Sequence, residues 1–205
     1  HIVSLDVTID PVHGNVRCAK NRRYWLTAIK ERKVVAFIAG PPCETWTCAW
    51  EHQLHDSGFG SGPRVVRDLS ELWGFSSLTL RELAQIIVGN ELLVFSLEAI
   101  IGLVETQGCA LLEHPAEPAK ESSASIWRLP AMQILLESPN VERCKIAQGL
   151  LGAPTPKPTE FLVLNMPGLM RRFHKWRVRR ELPKACAIGR SESGEIGRAS
   201  CRERV

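Results

Sequence analysis

No apolar stretch of this sequence reads as long enough to span a membrane; the longest candidate, Leu92 to Val104, is broken by Ser96, Glu98 and Gly102. No segment has the order of a secretory signal, so export is not expected, although residue 1 is His and a longer amino end is expected upstream. The seven cysteines are odd in number and lack disulfide-framework spacing. That argues against a disulfide-stapled secreted scaffold and favours a reducing compartment, hence an intracellular location, nuclear in a eukaryote. Zinc spacing is missing too. Cys43, Cys48, His52 and His55 would crowd four ligands into thirteen residues, whereas structural sites separate their two pairs. There is no internal repeat.

What is present is an ordinary globular composition: 205 residues, 44% hydrophobic and 23% charged, enough for one domain with a sizeable core. The formal net charge of +4 is unevenly placed. Residues 1–170 carry 15 Lys+Arg against 18 Asp+Glu, whereas Arg171 to Arg180 alone carries six positive charges. Phe173 and Trp176 interleave with them. Cations with aromatics suit phosphate contact and base stacking, so Arg171, Arg172, Lys175, Trp176 and Arg177 are candidate nucleic-acid contacts. The plainer reading is a solvated helical or disordered tail. Ile196 to Val205 resembles an in-frame translation of a common sequencing adapter and is set apart from the fold.

Val34 to Gly40 is continuous, apolar and β-branched, and reads as a strand buried on both faces of a parallel sheet. Gly40-Pro41-Pro42 ends it, because proline cannot donate to a ladder. Cys43 is thereby presented at the carboxyl edge of a strand, where open α/β sheets bind ligands. Ile2 to Asp6 reads as a short strand and Tyr24 to Lys33 as a helix. Glu51 to Trp73 reads as a long loop. Thr79-Leu80-Arg81-Glu82 is a capping box opening a long helix that Gly108 would stop. Cys109 to Glu113, Arg143 to Ala147 and Glu160 to Asn165 read as strands, and residues 131–137 as a helix with Pro130 in its first turn. Strands alternating with helices predict a parallel α/β sheet.

Gly40-Pro41-Pro42-Cys43-Glu44-Thr45-Trp46-Thr47 resembles the nucleophile motif of DNA (cytosine-5) methyltransferases. Leu111-Leu112-Glu113-His114-Pro115, 70 residues on, resembles their second catalytic motif, a Glu-Asn dipeptide after the next strand. Ile2-Val3-Ser4-Leu5-Asp6 resembles the strand whose acidic end receives the cofactor ribose. Gln148-Gly149-Leu150-Leu151-Gly152-Ala153-Pro154 with Lys157-Pro158-Thr159 is similar to the downstream segment of compact phage and mobile-element methylases. The resemblance covers roughly residues 1 to 165, in the family's order. His114 stands where the family has Asn, and Glu44 where Gln is common.

The resemblance implies a Rossmann-like S-adenosylmethionine-dependent methyltransferase fold: a mostly parallel sheet with flanking helices, incomplete at its amino end, where the glycine-rich cofactor loop would lie. Residues 1–170 would form it, 171–195 a basic tail and 196–205 the adapter-like end. A thiolate adding to C6 of cytosine makes C5 an enamine carbon able to attack a methyl sulfonium. Cys43 is the expected nucleophile, its thiol lowered by a helix amino terminus; Glu113 is the acid near N3; Gln148 is the polar residue beside the flipped base. Asp6, Pro41 and Pro42 would hold S-adenosylmethionine, with Asp10 the competitor of Asp6. Each has a plainer reading: a strand-end cysteine, a turn-capping carboxylate, an exposed glutamine, turn aspartates. The expected partner is DNA and no membrane. The expected activity is methyl transfer to C5 of cytosine in DNA. The alternative is a catalytically inactive methylase-like module that binds nucleic acid within a mobile-element protein.

Overall fold

Thr79 and Glu82 form the expected capping box: Glu82 N donates to Thr79 Oγ1 at 3.3 Å and Thr79 N to Glu82 Oε2 at 2.8 Å. This pair satisfies two orphan donors of helix α2 (Leu80–Thr106), a contribution of about 1 kcal/mol. At the far end the left-handed position is taken by Gln107 (φ 60°), one residue before the expected glycine. Gly108 is needed for close approach instead: a Cβ there would stand 2.4 Å from Leu103 Cδ2 and 2.9 Å from Val35 O.

The structure is a computed structural model, and it describes residues 1–46, 64–153, 156–179, 185–190 and 196–200. Helix α2 corrects one expectation. Its 27 residues include a window of mean hydropathy 1.9, long and apolar enough by length and composition alone to cross a membrane. Packing inside the fold accounts for part of that apolarity, since 56% of the window is buried. Ile86, Leu93, Leu97, Ile100 and Leu103 are buried, most of them in the main core with the sheet. Helix α1 (Ala19–Lys30) lies along it, with the ion pair Arg22–Glu98, Ile29 3.0 Å from where a Cβ on Gly102 would stand, and Arg17, just before the helix, paired with Glu91.

Four strands form one sheet in the order β1-β2-β4-β3: β1 (Ala36–Ala39), β2 (Cys109–Pro115), β3 (Val141–Ala147) and β4 (Pro158–Leu164). β1 and β2 are parallel, joined by α2, with Ala39 opposite Leu112. β4 is antiparallel to both its neighbours, so the sheet is mixed and the expected mostly parallel sheet is corrected. The reason is the β3–β4 connection. Among the described residues it holds only the 3₁₀ turn Gln148–Leu151, and a parallel return needs a longer crossover.

One sheet face carries Ala110, Leu112, Leu162 and Leu164 against α2 and α3 (Pro130–Leu136), with Trp127 fully buried among them. The other carries Cys144, Ile146, Phe161 and Val163 against α4 (Pro167–Arg179). Position 170/171, expected as a domain boundary, falls inside α4, whose Met170 and Phe173 are buried on the sheet. β5 (Ala185–Arg190) and β6 (Ile196–Ser200) pair antiparallel in a separate ribbon.

β1 is not buried on both faces. It lies at the edge of the sheet, with Val35 65% and Ile38 73% exposed, while Val34, Phe37 and Ala39 face the core. The second face is bare there because α4 covers β3 and β4 at the opposite edge. Ile2–Asp6 is not a strand either: residues 1–6 form no regular element, turns follow from residue 7, and Ile2 is fully exposed.

Candidate functional site

β1 and β2 run side by side and β2 continues past the end of β1, so the turn after β1 lies beside Glu113. A Cβ on Gly40 would stand 3.5 Å from Glu113 Oε2. From Gly40 the chain turns through buried Pro41 and half-buried Pro42 to half-buried Cys43. Trp46 N donates to Cys43 O at 2.9 Å, closing the single 3₁₀ turn Glu44–Trp46. Three residues make too short a helix to lower the thiol. Burial pushes Cys43 up instead, with nearby Lys157 pulling it down and Glu113 pushing it up. The expected helix-lowered thiol is thus corrected.

Glu113 lies on the α4 side of β2 at its carboxyl end. Gln148 Nε2 donates to Glu113 Oε1 at 3.0 Å, and Lys157 Nζ stands 3.5 Å from the same oxygen. The two residues come from the ends of the β3–β4 connection, whose backbone closes by Gln148 N donating to Lys157 O at 3.1 Å. Lys157 holds a positive φ of 30°, unusual for a non-glycine residue. Cys43, Glu113, Gln148 and Lys157, from three parts of the chain, therefore share one edge of the sheet. The arrangement sets an amide and one cation on the Glu113 carboxylate, with a half-buried thiol in the turn beside it.

His114 points to the opposite face. It is 1% exposed, its Nε2 has no hydrogen-bond partner among the described residues, and burial drives its pKa down to about 3. It is therefore a neutral imidazole beneath the site. Arg67 is equally buried and stacks 3.8 Å above the Trp46 ring; burial lowers it to about 9, so it stays charged at neutral pH. Neither Lys157 nor Arg67 is among the residues that the sequence marks as site candidates. Lys157 has a faint signal, a lone cation between prolines after a glycine turn. Arg67 has none, since it sits in a segment read as loop.

The residues expected to hold S-adenosylmethionine do not assemble. Asp6 Oδ1 accepts from Thr8 N at 2.7 Å and from Thr8 Oγ1 at 2.6 Å, so its carboxylate caps its own turn and is held below the usual range by those bonds. Asp10 does the same for Val12 and His13. Pro41 is buried, and Pro42 O lies 3.9 Å from where a Cβ on Gly89 would stand, against α2. The described residues thus do not build an adenosine cradle. Cys48, His52 and His55 lie outside the described residues.

On α4, Arg171, Arg172 and Lys175 are exposed, while Trp176 is half-buried with its ring 5.9 Å from that of Phe173. Trp176 is therefore partly engaged in packing. Arg177 continues the helix, its side chain outside the described residues. Leu150, in the turn that Gln148 begins, shares the cluster of Met170 and Phe173, so the basic helix lies next to the Glu113 edge. No protein-family model, no curated protein and no solved structure matches this chain.

Proposed function

We propose that this chain carries the nucleophilic half of a DNA (cytosine-5) methyltransferase-like site. The observation that carries the reading is the meeting of Cys43, Glu113 and Gln148 at the carboxyl ends of β1 and β2. The parallel β1–α2–β2 unit is the arrangement that Rossmann-like sheets use to present such an edge, which supports that finer fold reading. Cys43 as thiolate adds to C6 of a cytosine taken out of the stack. Glu113, steadied by Gln148 and Lys157, faces the ring nitrogen where charge gathers. Arg171, Arg172 and Lys175 meet the phosphates beside that edge. S-adenosylmethionine, when bound as second substrate, would supply the methyl group.

DNA carrying pyrimidin-2-one in place of cytosine tests the nucleophile without any methyl donor. Its C6 accepts a thiolate readily and the adduct persists. The expected result is a denaturation-resistant protein–DNA complex, linked through Cys43 and absent in Cys43→Ser. DNA binding by the wild-type protein without such an adduct would sink the reading.

A second reading has its own support. Burial raises the Cys43 thiol, and Asp6 is consumed in its own turn, while the exposed cations of α4 remain. These favour a methylase-like module that binds nucleic acid without catalysis. The same experiment separates the two, because that module binds the DNA and leaves no adduct.

A further inference from the structure

A cation is buried between the Cys43 turn and α2. Arg67 is 1% exposed, and no carboxylate pairs with it among the described residues. Its Nη2 donates to Thr45 Oγ1 at 2.8 Å; its Nη1 donates to Asn90 Oδ1 at 3.0 Å and to Leu72 O at 2.9 Å. Its guanidinium carbon sits 3.8 Å from the centroid of the Trp46 ring.

Thr45 and Trp46 belong to the turn that follows Cys43, and Trp46 N bonds Cys43 O. Asn90 lies on α2 next to Gly89, where a Cβ would come within 3.7 Å of Thr45 Oγ1. Asn90 Nδ2 in turn donates to Trp73 O at 2.9 Å, and the Trp73 ring meets that of Trp46 edge-on at 6.1 Å. One planar fork therefore ties the Cys43 turn, the 67–73 segment and α2 together.

Burying an unpaired cation is costly, and a buried aliphatic of similar volume would be cheaper. Only the fork geometry of arginine satisfies acceptors on three segments while lying flat on an indole. Lysine could not do both. The group thus fixes a geometry, and the geometry it fixes is that of the turn carrying the thiol.

We infer that Arg67 is a positioning residue for Cys43, holding the 3₁₀ turn on α2 so that the thiol stays half-buried beside Glu113. It acts through Thr45 and Trp46 and not on the reacting atoms. The inference rests on the reading of Cys43 as the nucleophile.

The test compares the full chain with Arg67→Lys and Arg67→Met, and with Thr45→Val, which removes a single bond. Iodoacetamide labelling is followed at each cysteine by peptide mass spectrometry across pH 6 to 10, since the thiolate is the species alkylated. Release of the turn should raise the rate at Cys43 about tenfold near neutral pH and move its profile towards that of a free cysteine. Cys144, buried in the other cluster, should keep its rate. Adduct formation with pyrimidin-2-one DNA should fall in the same variants, so access rises while reaction drops.

An unchanged Cys43 profile in folded variants would overturn the inference, as would Cys144 labelling in step with Cys43. If Arg67→Met does not fold, Thr45→Val decides by the same criteria. Labelling that follows Arg67 with no adduct even in the wild-type protein leaves the positioning standing and removes the methyl-transfer reading.

Discussion

Gln148 Nε2 donates to Glu113 Oε1 at 3.0 Å across 35 residues of sequence. The bond joins the end of β2 to the start of the β3–β4 connection and fixes which way the carboxylate faces. Lys157 approaches the same oxygen, so Glu113 is held from two sides.

Removing the carboxylate should therefore cost more than removing its support. Glu113→Gln is expected to slow adduct formation on pyrimidin-2-one DNA by about 10²- to 10⁴-fold, the usual range for a positioned acid or base. Gln148→Leu should slow it by about tenfold through loss of one hydrogen bond. Rates at saturating DNA measure both, with circular dichroism melts as the check on folding. Equal effects from the two changes would contradict this order of roles.

His114 gives the fold a dependence on acid. It is neutral and buried, with Lys157 and Arg67 adding to the cost of charging it and Glu160 opposite it across the strand pair. Its folded pKa of about 3 lies below the ordinary 6.5, so between these values the unfolded chain holds the proton and the folded one does not. The imidazole's contribution is therefore complete above pH 6.5 and lost as pH falls towards 3, an effect of a few kcal/mol at most. Urea melts at pH 7.5 and pH 5 should show the wild-type midpoint dropping. His114→Leu should flatten that drop; a variant as acid-sensitive as the wild type would exclude His114 as the cause.

Much of this frame is legible in the residues, and the failures have physical reasons. The Thr79–Glu82 box and the Gly108 stop are local chemistry, and they bracket α2 within two residues. The turn after β1 and the placing of Glu113 follow from Pro41-Pro42 and the next apolar run. The direction of β4 is not legible, because a buried strand has the same pattern whichever way it runs. Nor is the exposure of Val35 and Ile38, since an apolar run does not say whether a neighbour lies beside it. Arg67 is hidden for a third reason: burial of this cation depends on acceptors from two distant segments, at Thr45 and Asn90, besides its neighbour Leu72. Asp6 reads as a strand-end acid by resemblance, yet Thr8 two residues on is enough to turn the chain and take its carboxylate.

The exposed cations of α4 should govern DNA affinity without governing stability. Arg171, Arg172 and Lys175 lie in solvent. Changing all three to Glu should weaken binding to duplex DNA of any sequence and lower the slope of log K against log salt by about 3, if each meets one phosphate. Fluorescence anisotropy from 50 to 300 mM salt measures this. A slope equal to the wild type's would place the phosphate contacts elsewhere.

Phe173 makes the opposite prediction, and it bears on whether α4 is tail or core. Its ring lies 4.9 Å from that of Phe161 on β4 and 5.9 Å from that of Trp176, and it is 3% exposed. Phe173→Ala removes a ring from between the sheet and the helix, a change that costs about 3–5 kcal/mol in a closed core. Because Leu150 shares this cluster, the loss should also loosen the turn that begins at Gln148 and so reach Glu113. The expected result is a lower denaturation midpoint together with slower adduct formation at temperatures where the variant is still folded. A solvated tail would show neither, and a purely peripheral helix would show the first without the second.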